Sequence, residues 1–155
     1  MIIETMDFHN NDKFPIENYC REVRNAIIKI KNDSQLFKKF PLGCCRDSSI
    51  IIGELLIGKG LNNIYLCRKE IDGIYPSHAW LEYNDWLIDI TADQFGVEFS
   101  PVIVLQLESI YWFHKKCDRQ LVSFSLAGTD KIDLYNDYEL IKNEIDPFVD
   151  KIIFI

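Results

Sequence analysis

The 155-residue chain has no CxxC pair, and its five cysteines (Cys20, Cys44, Cys45, Cys67 and Cys117) are odd in number. That pattern suggests neither a disulfide framework nor a zinc site. Reduced thiols in a cytoplasmic setting are expected, and a protein delivered into another cell would have the same composition. Met1–Asp7 shows no basic segment followed by an apolar run, and no stretch is long enough to span a bilayer. Neither a secretory signal nor a membrane span is therefore expected. Basic residues are outnumbered, 17 Lys and Arg against 24 Asp and Glu, for a net charge of −7. Such a field argues against nucleic acid or an anionic membrane as the main partner and suits a basic protein substrate better. Repeats, low-complexity segments, linkers and coiled-coil periods are also missing.

What remains is an ordinary globular composition, 48% hydrophobic and 26% charged, of a size for one domain over 1–155. From Pro15, the residues Ile16, Tyr19, Val23, Ile27 and Ile30 recur at helical spacing. They predict an amphipathic helix over 15–31. Ser34 reads as the cap of a short helix to about Lys39, closed by Pro41. A second long helix is expected over Cys45–Gly58, apolar almost all round and therefore buried, with Gly58 and Gly60 as its stop.

Beyond Gly60 the pattern turns to strands: 63–68, 78–83, 86–90, 101–107 and 121–125, with Asn84-Asp85 as a tight hairpin turn. A helix over 133–145 and a last strand over 149–155 complete an α+β reading, with helices first and an antiparallel sheet after them.

Three segments carry possible chemistry. Gly43-Cys44-Cys45-Arg46-Asp47 opens the buried helix, where unpaired backbone N–H groups and the helix dipole favour a thiolate. Gly43 would let a substrate backbone come close. Position alone does not choose between Cys44 and Cys45, and both could instead be apolar fillers. Ser48 and Ser49 read as capping or packing hydroxyls. His78 opens a strand whose alternation puts His78, Trp80 and Glu82 on one face. Counting back from the hairpin turn, Asp89 lies opposite Trp80 and diagonal to His78, roughly 7–8 Å away backbone to backbone. Contact between those side chains would fix the ring tautomer and stabilise an imidazolium. Glu82 and Asp93 are alternative carboxylates, each read as a surface charge. His9 and His114 are read as structural, Trp80 and Trp86 as core or cleft wall, and Tyr111, Trp112 and Phe113 as core.

Together these segments resemble the transglutaminase-like branch of the papain-like cysteine hydrolases. The matching motifs are Gly43-Cys44-Cys45-Arg46-Asp47, with Gly60 closing the helix, then His78-Ala79-Trp80-Leu81-Glu82, then Trp86-Leu87-Ile88-Asp89-Ile90-Thr91. They fall within residues 41–95. The resemblance implies a papain-like fold, Cys45 as nucleophile, His78 as base and Asp89 as its orienter. It implies attack on an amide, a thioester, and then hydrolysis, deamidation or transamidation of a protein or peptide, with no metal or organic cofactor. Two positions depart from the family. Gln35 is the only glutamine upstream of Cys45, where family members place a Trp or Gln that donates to the oxyanion, and Ile90 stands where proline is common. The backbone N–H of Cys45 would supply one oxyanion donor. The competing expectation is a protein-binding module on the same fold, with the triad silent for want of a second donor.

Overall fold

The computed structural model describes residues 13–107, 114–115, 117–121 and 132–145. Over these residues the protein is α+β, with three α-helices and a five-stranded antiparallel sheet. Helix α1 spans Lys13–Ile30 and buries Ile16, Tyr19, Val23, Ile27 and Ile30, the stripe that the helical spacing predicts. Helix α2 spans Cys45–Gly58 and buries Ile50, Ile51, Ile52, Leu55 and Leu56 around most of its circumference. Its end is a Schellman turn: Gly60, at φ +95°, donates to the Ile57 carbonyl while Leu61 donates to that of Leu56. Helix α3 spans Ile132–Ile145. Among the described residues no helix is long and apolar enough to cross a membrane.

The expected short helix after Ser34 does not form. Residues 35–43 are a run of turns, with Phe40 donating to Phe37, Leu42 to Lys39 and Cys44 to Pro41. Ser34 still acts locally as a cap, its Oγ accepting from the Leu36 and Phe37 amides at 3.0 and 2.8 Å. These turns bury both Phe37 and Phe40, whose rings meet edge to face.

Strands β1 (Ile64–Ile71) and β2 (Ile74–Tyr83) form one long hairpin. Both run further than their apolar residues predict, meeting at Asp72-Gly73, where both residues have positive φ. β3 (Trp86–Asp89) follows across Asn84-Asp85 with Tyr83 opposite Trp86, as the two-residue turn predicts. β4 (Ile103–Gln106) lies against β3. β5 (Asp118–Leu121) lies on the free side of β1 and shares only Leu121 with the strand expected there. The sheet order is β4-β3-β2-β1-β5. The expected strand over 149–155, residues 122–125, and His9, Tyr111, Trp112 and Phe113 lie outside the described residues.

Each sheet face has its own core. Leu66, Ala79, Leu81, Ile88 and Val104 pack with the helices. Cys67, Trp80, Leu87 and Ile103 pack on the other face with Ala92 and Phe99. Arg24 of α1 holds the chain just beyond β3: its guanidinium takes Asp93 with two hydrogen bonds, of 2.9 and 2.7 Å, and also reaches the carbonyls of Ile90 and Pro101. Asp93 is thus an ion-pair partner, and not the free surface charge expected of it, because the turn after β3 brings it under α1. Replacing Arg24 with Ala strands that carboxylate and two carbonyls. We expect a loss of about 3 kcal/mol, read as a lower urea midpoint at unchanged m-value.

Candidate active site

The site assembles where the start of α2 meets the middle of β2 and the end of β3. Cys44 is the N-cap residue of α2 and Cys45 its first helical residue. The two thiols face different surroundings. Cys44 is buried, with its Sγ 3.3 Å from the Leu42 carbonyl and 3.5 Å from that of Leu36. Burial first, then the Asp47 carboxylate and the Cys45 thiol, push it up to about 11. Such a thiol stays protonated. Cys45 is only partly buried, and its thiol is close enough to the His78 imidazole to help raise that ring's pKa.

His78 has no side-chain exposure, and its Nε2 lies 2.6 Å from Asp89 Oδ2. Burial by itself would lower its pKa. The Asp89 charge and hydrogen bond, with the Cys45 thiol, outweigh burial and raise it from 6.5 to about 9. For Asp89, burial opposes ionisation, yet the charge of His78 and hydrogen bonds from both His114 and His78 hold its carboxyl below the usual range. An ionised carboxylate only accepts, so the ring nitrogens that meet it must carry protons. With Nε2 committed to Asp89, Nδ1 is the nitrogen left to take the thiol proton.

His114 was read as structural from sequence, and it lies at the centre of this site. Its Nε2 is 2.8 Å from the same Asp89 Oδ2, and its side chain is also fully buried. The other carboxylate oxygen, Oδ1, accepts from the Thr91 amide at 2.9 Å. Nothing around His114 in sequence has strand or helix periodicity, and only the fold returns it to Asp89. Trp80, fully buried as expected, stands edge to face against His114 with ring centres 4.8 Å apart. Phe95 stands the same way against His78 at 4.9 Å. It also lines a cleft of about 460 Å³ with Lys69, Ile71, Glu98 and Phe99.

Gln35 is exposed in the turn segment, whereas a downstream residue, Gln94, reaches the loop before the helix. Gln94 Oε1 accepts from the Gly43 amide at 3.1 Å, and its Nε2 donates to the Thr91 carbonyl at 3.0 Å. Gln94 therefore ties the loop before Cys45 to the loop after Asp89. Ser48 and Ser49 are buried in α2, as packing hydroxyls should be. Glu82, expected at the surface, is buried on the face that carries Trp80, with Arg119 against it at 2.5 Å.

Two donor sets among the described residues are compact enough for a metal ion: His78, Asp89 and His114, and Cys67, Glu82 and Cys117. In the first set both imidazoles hydrogen-bond through Nε2 to one carboxylate oxygen. The chain matches no family model, no curated protein and no solved structure.

The pH dependence of stability follows from the two shifts. His78, raised in the folded state, contributes fully below its unfolded value of 6.5, and its contribution is lost as pH climbs through about 9. Asp89, lowered in the folded state, contributes above its unfolded value of 3.8 and loses its contribution as pH falls below it. Denaturant titrations should therefore show wild-type stability declining between pH 6.5 and about 9. His78→Gln should lack that decline. An equal alkaline loss in both proteins would place its origin elsewhere.

Proposed function

We propose that this chain is a cysteine hydrolase acting on amide bonds of a protein or peptide, with Cys45 as nucleophile, His78 as base and acid, and Asp89 as orienter. We place it on the transglutaminase-like branch of the papain-like fold. The observation that carries this reading is the buried His78–Asp89 hydrogen bond of 2.6 Å, on a ring whose pKa the Cys45 thiol also helps to raise.

In this reading His78 Nδ1 takes the Cys45 proton and the thiolate adds to an amide carbonyl carbon. The carbonyl oxygen becomes an oxyanion, and the backbone N–H of Cys45, free at the first turn of α2, is positioned to receive it. The tetrahedral adduct collapses as His78 returns the proton to the leaving nitrogen. Amine or ammonia departs and a thioester remains on Cys45. Water, deprotonated by His78, then releases the acid; an amine in its place gives a transamidated product. Throughout, Asp89 stays ionised and holds His78 in the tautomer and orientation that the transfers need. No metal or organic cofactor enters the scheme. The cleft beside Phe95 offers room for substrate side chains next to the ring that moves the proton.

The test separates chemistry from a silent binding module. Iodoacetamide should label Cys45 rapidly below neutral pH, and His78→Ala should slow that labelling at least about 100-fold. Cys45 reacting no faster than a free thiol in both proteins would leave the binding module as the better reading. Incubating candidate protein substrates with wild type and Cys45→Ala, followed by mass spectrometry, distinguishes the reactions. Cleavage, a deamidation shift and a crosslink have different masses, and each should vanish with Cys45.

A further inference from the structure

The sheet face that carries Trp80 holds a second group of reactive side chains, away from Cys45. Cys67 of β1 is fully buried and Glu82 of β2 is nearly so, while Cys117, just before β5, is partly buried. One donor atom from each lies within 4.8 Å of the other two. Burial, the Glu82 carboxylate and the neighbouring Cys117 thiol together push the Cys67 thiol well above its usual range. Arg119, the β5 partner of Cys67, completes the group 2.5 Å from Glu82 Oε1. The register explains the convergence, because Cys67 lies opposite both Trp80 on β2 and Arg119 on β5. The cysteines are far apart in sequence, which is why their spacing shows no metal signature.

We propose that Cys67, Glu82 and Cys117 form a binding site for one thiophilic divalent cation, with Zn²⁺ the best fit. Two sulfurs bound to one tetrahedral zinc at about 2.3 Å each stand about 3.8 Å apart, a spacing that this cluster can close with small side-chain movements. The donor set is soft sulfur with one carboxylate, which zinc accepts and which magnesium or calcium does not favour. Charge supports the same choice. Two thiolates and a carboxylate carry three negative charges, and a divalent cation together with the Arg119 guanidinium neutralises them. Arg119 holds one oxygen of Glu82, so it can steer the carboxylate as a partner behind the ligand, and the second oxygen is the one that would bind. The partly buried Cys117 gives the ion a way in, and a water would supply the fourth ligand. Binding replaces both S–H protons with the metal, and the two protons pass to solvent without any change in oxidation state.

The position also links this site to the other one. Cys117 closely follows His114, whose ring sits on Asp89. A cation joining Cys117 to β1 and β2 would anchor this segment from its far end and add a restraint to β5, whose four side chains are all exposed. The site does not depend on Cys45 being catalytic.

Zinc titration by equilibrium dialysis, under reducing conditions and in the Cys45→Ala background, tests the proposal. We expect one Zn²⁺ per chain, a higher melting temperature, and a thiolate-to-cobalt charge-transfer band when Co²⁺ is used instead. Cys117→Ser, at the less buried position, should weaken zinc binding at least about 10-fold, the lower end of what loss of an orienting group costs a metal site. Glu82→Gln should weaken it while leaving the cobalt–thiolate band in place. Unchanged binding in the Cys117→Ser and Cys67→Ala variants would overturn the proposal. So would reduced wild-type protein that binds no zinc but forms a Cys67–Cys117 disulfide with oxidised glutathione, the mark of a redox pair.

Discussion

A buried, ionised carboxylate is the constraint around which this protein is organised. Asp89 is fully enclosed, and an unpaired charge there would be prohibitively costly. The fold satisfies it from three directions: His78 from the neighbouring strand, His114 from the segment before β5, and the Thr91 amide from its own chain. Each donor requires a different part of the structure to be in place. The charge thus makes the site and the surrounding packing depend on one another. The same carboxylate keeps a proton on His78 well above the pH at which a free imidazole loses it.

The second requirement is a fixed sulfur. Helix α2 is buried on nearly every side, so its first residue cannot drift relative to the sheet. The adjacent cysteines illustrate what one step along the chain does at a helix start. At the cap position, Cys44 turns back onto the carbonyls of its own loop, while Cys45 faces His78. Arg24 and Gln94 then brace the turns on either side, one beyond β3 and the other across to Gly43. Both are polar residues outside the proposed triad whose contacts hold its geometry.

Much of this was legible in the residues themselves. α1 and α2 are long and strongly patterned, and the Asn84-Asp85 turn settles the β2–β3 register, hence the face shared by His78 and Asp89. Short elements were harder to read. The stretch after Ser34 has helix-compatible residues but folds as a run of turns leading through Pro41 to Cys44. β5 carries no apolar alternation, all its side chains being exposed, and so could not be located from pattern. Glu82 and Asp93 looked like surface charges because their partners, Arg119 and Arg24, are remote in sequence.

Local order was therefore written in the chain: the helix that begins at Cys45, the hairpin that aligns His78 with Asp89, and the α+β succession of elements. Periodicity and turn chemistry act over a few residues, so sequence alone determines what depends on them. Only the tertiary structure decided that Asp89 takes a second imidazole from His114, that Gln94 rather than Gln35 reaches the loop before Cys45, and that Cys67, Glu82 and Cys117 converge. Those contacts join segments separated by long stretches of chain, and their energy comes from burying polar groups together, which no local pattern encodes.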